Sequence, residues 1–506
     1  MIEENKSSMK NSVRRLIIAG IGVLIQIIWV VVLVMRLNQY SQIITLLTVA
    51  IELVLVLAVY SMDTNAAFKL PWIILITVAP IVGICVFFLF GRSGATKKVR
   101  ARYRKIDQQL FAYLNQDEQI IEELSKKDER LANDFKYLWK CASSPVYKNT
   151  DVKYYGDTCD AMAAQLEDMM QAKKFIFLEY HAIEMAESFQ ALRKVLMAKA
   201  REGVEIRILY DDAGCIGFLN PRFIKYMESM GIQCRVFNPI MPVLNIFMNN
   251  RDHRKITVID GKVAYTGGYN LADEYFNITH PYGQWKDSGI RFEGDAVQTA
   301  TILFMEMWNA LREQDVDIEK YLPVYPYKAK EQGFFALYGD SPLDKEPAGE
   351  NVYMNLLRHA KKYIYFTTPY LILSDEMTRE LTGAAKRGVD VRIITPGIPD
   401  KKTIFQVTKS YYPQLLKHGV KIYEYTPGFM HEKQCICDGE IVVVGTINLD
   451  FRSLYLHFEN AALFCGYEAV SHVKEDFDAL FPICKDMSKE PSERTRRLRL
   501  SQLILR

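Results

Sequence analysis

"RDHRKITVIDGKVAYTGGYN" runs from Arg251 to Asn270, and "MHEKQCICDGEIVVVGTINLD" from Met430 to Asp450. In both stretches a His is followed two residues on by Lys, five further on by Asp, and then by Gly and Asn. His253, Lys255, Asp260 and Asn270 therefore stand in the same register as His431, Lys433, Asp438 and Asn448. The apolar residues around each motif predict strands, on which residues two apart face the same way, so each His presents its imidazole beside an ammonium. Such pairs suit phosphate chemistry. Asp260-Gly261 and Asp438-Gly439, each lying between apolar-rich runs, predict hairpin turns. A turn gives Asp a conformational reason to be there, so for Asp260 and Asp438 a structural role stands beside a catalytic one.

Further echoes precede the two motifs in the same order. "AKKFIFLEYHAI" from Ala172 is answered by "AKKYIYFTTPYLI" from Ala360, "REGVEIRILYDD" from Arg201 by "KRGVDVRIITPG" from Lys386, and "MGIQCRVFNP" from Met230 by "HGVKIYEYTP" from His418. The chain thus contains an internal duplication, with halves predicted over residues 151–322 and 323–485. Short apolar runs alternating with amphipathic stretches predict an α/β fold. In "LRKVLMAKAREGVEIRILY" a helix is expected to end at Arg201 or Glu202, with Gly203 as its left-handed cap.

The 506 residues carry a formal net charge of +3, too small to argue for or against a polyanionic partner. The nine cysteines are odd in number and irregularly spaced, which predicts reduced thiols rather than a disulfide framework. Cys435 and Cys437 have no second pair near them, so no zinc site and no metal is expected.

Three apolar segments, at about 16–35, 43–60 and 70–90, read as membrane spans able to cross a core of about 30 Å. The second carries Glu52 at its middle, a cost at the bilayer centre. The third has Trp72 near one end and Phe87, Phe88 and Phe90 at the other, where interfacial aromatics are expected. The basic flank "GRSGATKKVRARYRK" that follows places the soluble part on the cytoplasmic side of a cell membrane, although Lys6, Lys10, Arg14 and Arg15 pull the N-terminus to the same side. Residues 1–105 are thus read as a multi-pass anchor, 106–150 as linker helices and 486–506 as a basic amphipathic tail able to lie on an anionic surface. "FNPIMPVLNIFMNN" from Phe237 reads as an apolar loop dipping into lipid.

Two copies of H-x-K-x(4)-D-x(6)-G-[GST]-x-N make the chain resemble the phospholipase D superfamily, and more narrowly the bacterial cardiolipin synthases. The likeness extends through "WKDSGIRFEG", "TTPYLIL" and "GTINLDFRSLYLHFEN"; Thr446 departs from the usual Ser but keeps the hydroxyl. The resemblance implies two similar halves, each a mixed sheet flanked by helices, behind N-terminal transmembrane helices. It implies transfer of a phosphatidyl group from one phosphatidylglycerol to another through a phosphohistidine, giving cardiolipin and glycerol without cofactor or metal. By the family pattern His253 is the nucleophile and His431 the acid and base; the residues themselves leave the order open, because the two rings titrate as a pair. Lys255, Lys433, Asn270 and Asn448 would hold the phosphoryl oxygens. Asp287 and Glu459 follow their histidines at similar distances and are the candidates to orient the imidazoles, each within its own half. Glu179, Tyr180, His181, Tyr370, Arg251, Arg254 and Arg452 are weaker candidates for lining the site. Competing readings are a membrane-bound phosphodiesterase using water or another alcohol, and a catalytically dead lipid-binding scaffold. Anionic membrane lipid is the expected partner and nucleic acid is not.

Overall fold

The repeated sequence blocks become repeated strands. The computed structural model describes residues 42–489, apart from 63, 89–96, 220–221, 241–248, 313–314, 316 and 324–325, together with eight residues between 21 and 35. In the first half the strands are β1 (Thr150–Tyr155), β2 (Phe175–Tyr180), β3 (Glu205–Asp211), β4 (Gln233–Phe237), β5 (Arg251–Asp252), β6 (Lys255–Ile259), β7 (Val263–Gly267), β8 (Gln284–Lys286) and β9 (Gly289–Gly294). In the second they are β10 (Phe334–Asp340), β11 (Tyr363–Thr367), β12 (Asp390–Pro396), β13 (Lys421–Tyr425), β14 (Gly428–Met430), β15 (Gln434–Cys437), β16 (Ile441–Gly445), β17 (His457–Cys465) and β18 (Cys484–Asp486).

One sheet has the order β1-β9-β7-β6-β2-β3-β4 and the other β10-β17-β16-β15-β11-β12-β13-β18, so the first seven strands of the second sheet repeat the first. Each sheet is mixed: β2, β3 and β4 run parallel, as do β11, β12 and β13, and the motif hairpins pair antiparallel beside them. The parallel strands need crossovers, which helices Glu187–Arg201 and Asp375–Lys386 supply. The first ends where the sequence predicts, and Gly203 (φ 86°) and Gly388 (φ 92°) turn the chain into the next strand.

Between the sheets lies helix Val297–Leu311, buried on nearly every side, as its uniformly apolar sequence requires. Its Phe304 and Trp308 join Phe177 and Val258 of the first sheet and Leu337, Val444 and Phe464 of the second in one core. The halves are thus welded through a shared interior. The predicted linker helices belong to that body. Tyr103, Ile106 and Leu110 of helix Lys97–Leu110 enter the shared core, and Leu131, Phe135 and Leu138 of helix Glu129–Ala142 pack on Val352, Tyr353 and Leu356 of the second half. Arg102, read in the sequence as part of a basic flank, donates to the carbonyls of Asn309 and Arg312 at the C-terminus of the buried helix.

The N-terminal region departs most from expectation. Among the described residues no helix is long and apolar enough to cross a membrane. The second apolar block forms α1 (Gln42–Tyr60). The third is not one span. It breaks into α2 (Ala66–Val78) and α3 (Pro80–Val86), and α3 folds back so that Trp72 and Phe87, expected at opposite membrane faces, meet with ring centroids 5.5 Å apart. Pro80 forces the break, because the residue before a proline is pushed out of the helical region and Ala79 sits at φ −137°, ψ 72°. The first block lies largely outside the described residues, and residues 241–248 and the tail from 490 onward lie wholly outside them.

The Asp residues of the motifs sit at the hairpin turns. Asp260 (φ 53°) and Gly261 (φ 65°), like Asp438 (φ 54°) and Gly439 (φ 71°), have the paired positive φ of a two-residue hairpin. The Asp260 carboxylate accepts from the backbone N–H groups of Lys173, Lys174 and Phe175 at 2.7, 2.7 and 2.9 Å. Asp438 accepts from Lys361, Lys362 and Tyr363 at 2.8, 2.8 and 2.9 Å. Both carboxylates pin the start of the neighbouring strand. Asp260→Ala is therefore expected to lower stability by about 2–3 kcal/mol, seen as a lower melting temperature, while the turnover per folded molecule stays within twofold; a loss of turnover without a loss of stability would return Asp260 to the chemistry.

Candidate active site

Each motif His stands just beyond a two- or three-residue strand that pairs with the other half. β5 runs parallel to β17, with Arg251 opposite His457 and Asp252 opposite Phe458. β14 runs parallel to β8, with Phe429 opposite Trp285 and Met430 opposite Lys286. The next backbone bond repeats in both places: His253 N–H donates to Phe458 O at 2.9 Å and His431 N–H to Lys286 O at 2.8 Å. These two ladders bring a carboxylate of one half against the imidazole of the other. His253 Nδ1 lies 2.8 Å from Glu459 Oε2, and His431 Nδ1 lies 2.5 Å from Asp287 Oδ2. Both expected carboxylates contact an imidazole, and the expected pairing is crossed: Asp287 bonds the second histidine and Glu459 the first.

With Nδ1–H donated to a carboxylate, each neutral ring turns its Nε2 lone pair outward. His253, His431, Asn270 and Asn448 line one cavity of about 1150 Å³. The lysines lie behind the histidines. Lys255 Nζ donates to His253 O at 2.7 Å, and Lys433 Nζ bonds the carbonyl of His431 and lies 2.7 Å from its Nδ1. That nitrogen cannot donate to Asp287 and accept from Lys433 together, so the ammonium is held by the carbonyl. Both lysines and both histidines are buried. Burial pushes both imidazoles well below their usual value, and the two ammoniums push them further. Burial also lowers Lys255 to about 7 and Lys433 to about 8, against the pull of the carboxylates. Asp287 is raised by burial to about 6.

The two carboxylates are held differently. Glu459 accepts from Thr446 Oγ1 at 2.5 Å and Ser453 Oγ at 2.7 Å, so the hydroxyl that survives at Thr446 has a partner. The residue equivalent to Thr446 is Gly268, and a Cβ there would run into Asp287 Oδ1. The rings around the histidines differ too. His431 is packed by Trp285, Tyr275 and Phe429 at centroid distances of 5.1, 5.2 and 5.8 Å. His253 is flanked instead by His181 at 5.0 Å and His457 at 5.5 Å.

The remaining candidates separate cleanly. Asp260 and Asp438 do not line the cavity; a turn residue seven positions along the strand from its histidine lies on the order of 20 Å away, which corrects the catalytic reading of both. Asn270 lines the cavity but is tied to Ala182 N–H at 3.1 Å and Tyr275 Oη at 2.8 Å, whereas the Asn448 amide oxygen is buried without a partner. His181, Tyr370 and Arg452 line the cavity; Glu179, Tyr180, Arg251 and Arg254 are buried outside it, with Arg254 bonded to Glu306 at 2.8 Å. Sequence reasoning passed over His457, two residues before Glu459, and Thr64, Asn65 and Phe68 at the turn of the apolar hairpin, which also line the cavity. Asn65 Nδ2 donates to Glu376 Oε2 at 3.1 Å, fastening that turn to the second half.

Two outcomes are expected. Gly268→Ala displaces Asp287 and with it His431, lowering kcat per folded molecule on the order of a hundredfold in a steady-state assay, together with a lower melting temperature. An ammonium is charged below its pKa, so charge that can attract an anion is lost as pH rises through about 7 and then about 8. kcat/KM should fall over that window, and Lys433→Arg, which keeps its charge, should remove the upper step; an unchanged alkaline limb in that variant would exclude Lys433 as its origin.

Comparison with known proteins gives a consistent result. The family model described as "Cardiolipin synthase, PLD-like domain" matches residues 166–308 and 353–481. A cardiolipin synthase of Halalkalibacterium halodurans is 32% identical over 87% of this chain and 87% of its own length. Cardiolipin synthase 2 of Bacillus anthracis is 30% identical over 84% of this chain and 81% of its own. An uncharacterized protein of Streptococcus mutans is 41% identical over 84% of this chain and 91% of its own. The crystal structure of phosphatidylserine synthase from Haemophilus influenzae superimposes with a TM-score of 0.53 at 14% identity, covering 70% of this chain and 92% of that one, which is a likeness of fold. The duplicated sheets, the paired His/Lys motifs and these matches agree: the chain belongs to the phospholipase D superfamily and, within it, to the cardiolipin synthase family of phosphatidyltransferases.

Proposed function

We propose that the protein is a membrane-anchored cardiolipin synthase that transfers the phosphatidyl group of one phosphatidylglycerol to a second and releases glycerol. The observation that carries this reading is the pair of crossed His–carboxylate contacts facing one cavity with two buried ammoniums. His253 Nε2 attacks phosphorus, the P–N bond forms, and the P–O bond to the glycerol headgroup breaks. His431 gives the leaving oxygen its proton. Burial, and then Lys433 and Lys255, oppose a charged His431; the phosphodiester anion offsets the two ammoniums and makes room for that proton. In the second step His431 takes a proton from a hydroxyl of the acceptor phosphatidylglycerol, whose oxygen displaces His253. Lys255, Lys433 and amide N–H groups of Asn270 and Asn448 are proposed to donate to the non-bridging oxygens as charge builds.

The anchor is part of the same proposal. The described helices α1 and α2 expose Leu46, Leu47, Leu53, Val54, Leu57, Ile74 and Val78, an apolar face out of keeping with water. Asn65 of the turn between those helices and Phe68 in the first turn of α2 enter the cavity lining, so lipid held against the apolar face lies beside the histidines. We infer a multi-pass membrane attachment with the catalytic part facing the cytoplasm, anionic lipid as its surroundings, and the α2–α3 hairpin entering the bilayer without crossing it.

Purified protein in phosphatidylglycerol vesicles should yield cardiolipin and glycerol in equal amounts. Phosphatidic acid as the sole product would establish a hydrolase, and no product a scaffold. His253→Ala should yield no phosphoenzyme on a denaturing quench at neutral to alkaline pH with lipid labelled at phosphorus, while His431→Ala should still accumulate it slowly; label retained in His253→Ala would reverse the two roles.

A further inference from the structure

The two catalytic centres share a backbone pattern but differ at one equivalent position. Trp285 and His457 each stand two residues before the carboxylate that orients the opposite histidine, and each packs on that histidine's ring, at 5.1 and 5.5 Å. At His431 the neighbour is an indole with nothing to coordinate. At His253 it is an imidazole, and its Nδ1 is buried without a hydrogen-bond partner. His253, His457 and Glu459 each direct one donor atom into a common space, all within 4.8 Å of one another. The closest pairs are His253 Nδ1 with Glu459 Oε2 at 2.8 Å and His457 Nδ1 with Glu459 Oε1 at 3.5 Å.

We propose that His253, His457 and Glu459 form an inhibitory binding site for a divalent metal ion such as Zn2+. Two imidazoles and a carboxylate are the donor set of three-ligand zinc sites, whose fourth position is left to water. Bonds of about 2.0–2.1 Å to a tetrahedral ion put donors about 3.3 Å apart, so donors up to 4.8 Å apart close by at most about 1.5 Å and the His253–Glu459 pair, at 2.8 Å, opens by about half an ångström. Nitrogen-rich ligation selects Zn2+, Co2+ or Ni2+ over Mg2+ and Ca2+. The ion competes with the hydrogen bond from His253 Nδ1 to Glu459.

Inhibition follows from the proton count. Without metal, the single ring proton of neutral His253 sits on Nδ1, facing Glu459, and the Nε2 lone pair is free to attack. A metal on Nδ1 takes that lone-pair direction and moves the proton to Nε2. No proton leaves the ring and no bond to phosphorus can form, because the attacking nitrogen now carries hydrogen. His457 changes tautomer in the same way: its Nε2 accepts from Arg452 Nε at 3.3 Å, which leaves the proton on Nδ1. On coordination that proton moves to Nε2 and the contact with Arg452 is lost. Ion binding rests only on the geometry; its effect on rate rests on the proposed role of His253 as nucleophile.

The test uses full-length protein in which the two exposed thiols, Cys141 and Cys159, are changed to Ser to remove adventitious sites. Co2+ titrated into this protein should give the intense visible absorption of a tetrahedral centre at one ion per chain, displaced by Zn2+, and His457→Phe should abolish it. Zn2+ should inhibit phosphatidyl transfer, with His457→Phe or His457→Asn raising the half-inhibitory concentration at least tenfold relative to its own metal-free rate, and Mg2+ should do nothing. Absence of the cobalt spectrum in folded protein, or equal zinc sensitivity in both His457 variants, overturns the site. A cobalt spectrum lost in His457→Phe, without inhibition by Zn2+, keeps the site and overturns the role of His253 instead.

Discussion

The active centre depends on two short parallel ladders between the halves. β5 beside β17 and β14 beside β8 amount to a few residue pairs, yet each delivers a carboxylate of one half to the imidazole of the other. Neither half therefore contains a complete His–carboxylate unit. The ladders are too short to hold themselves. They are held by the common core around helix Val297–Leu311, where aromatic residues of both sheets meet. Core packing between the halves and alignment of the catalytic rings are one constraint, and a shift of one sheet against the other would break both hydrogen bonds together.

Within this near-symmetric frame the chemistry is asymmetric. Aspartate meets His431 and the longer glutamate meets His253; the aspartate packs where Gly268 leaves no side chain, and the glutamate is gripped by Thr446 and Ser453. Aromatic rings confine His431, whereas His253 has two further imidazoles as neighbours. A transfer in two steps needs one histidine that bonds to phosphorus and one that only moves protons. Duplication supplies the shared scaffold, and the side chains at a handful of equivalent positions supply the difference.

Much of this was legible in the residues. The repeated motifs marked both histidines and lysines, and the Asp-Gly pairs marked both hairpins. What failed has a physical cause in each case. Asp287 and Glu459 were found but assigned within their own halves, because separation along the chain carries no sign of which sheet a two-residue strand will join. Asp260 and Asp438 could be read both ways, as catalytic by repetition and as turn residues by their Gly neighbours, because repetition equally preserves a carboxylate that fastens three backbone N–H groups. The block at 70–90 read as a span because hydropathy averages over Pro80, which breaks the helix, and over Gly83, whose missing side chain lets α3 lie against the backbone of Leu75 and Ile76. The segment 106–150 looked like a linker since its apolar residues recur at helical spacing without naming what they pack on.

The charge balance beside the cavity explains how two buried ammoniums are accommodated there. Lys255 and Lys433 face Asp287 and Glu459, two positive groups against two negative, and burial keeps both histidines neutral. Such an arrangement is tolerable only as a whole, because stripping one partner from a buried ion set costs about 3–5 kcal/mol. A phosphodiester adds a single negative charge to a site already near neutrality. A proton placed on an imidazole restores the balance; both rings have a carboxylate at Nδ1 to hold the charged form, and on the proposed mechanism the ring that takes it is His431. On that mechanism, substrate binding would thereby prepare its own general acid.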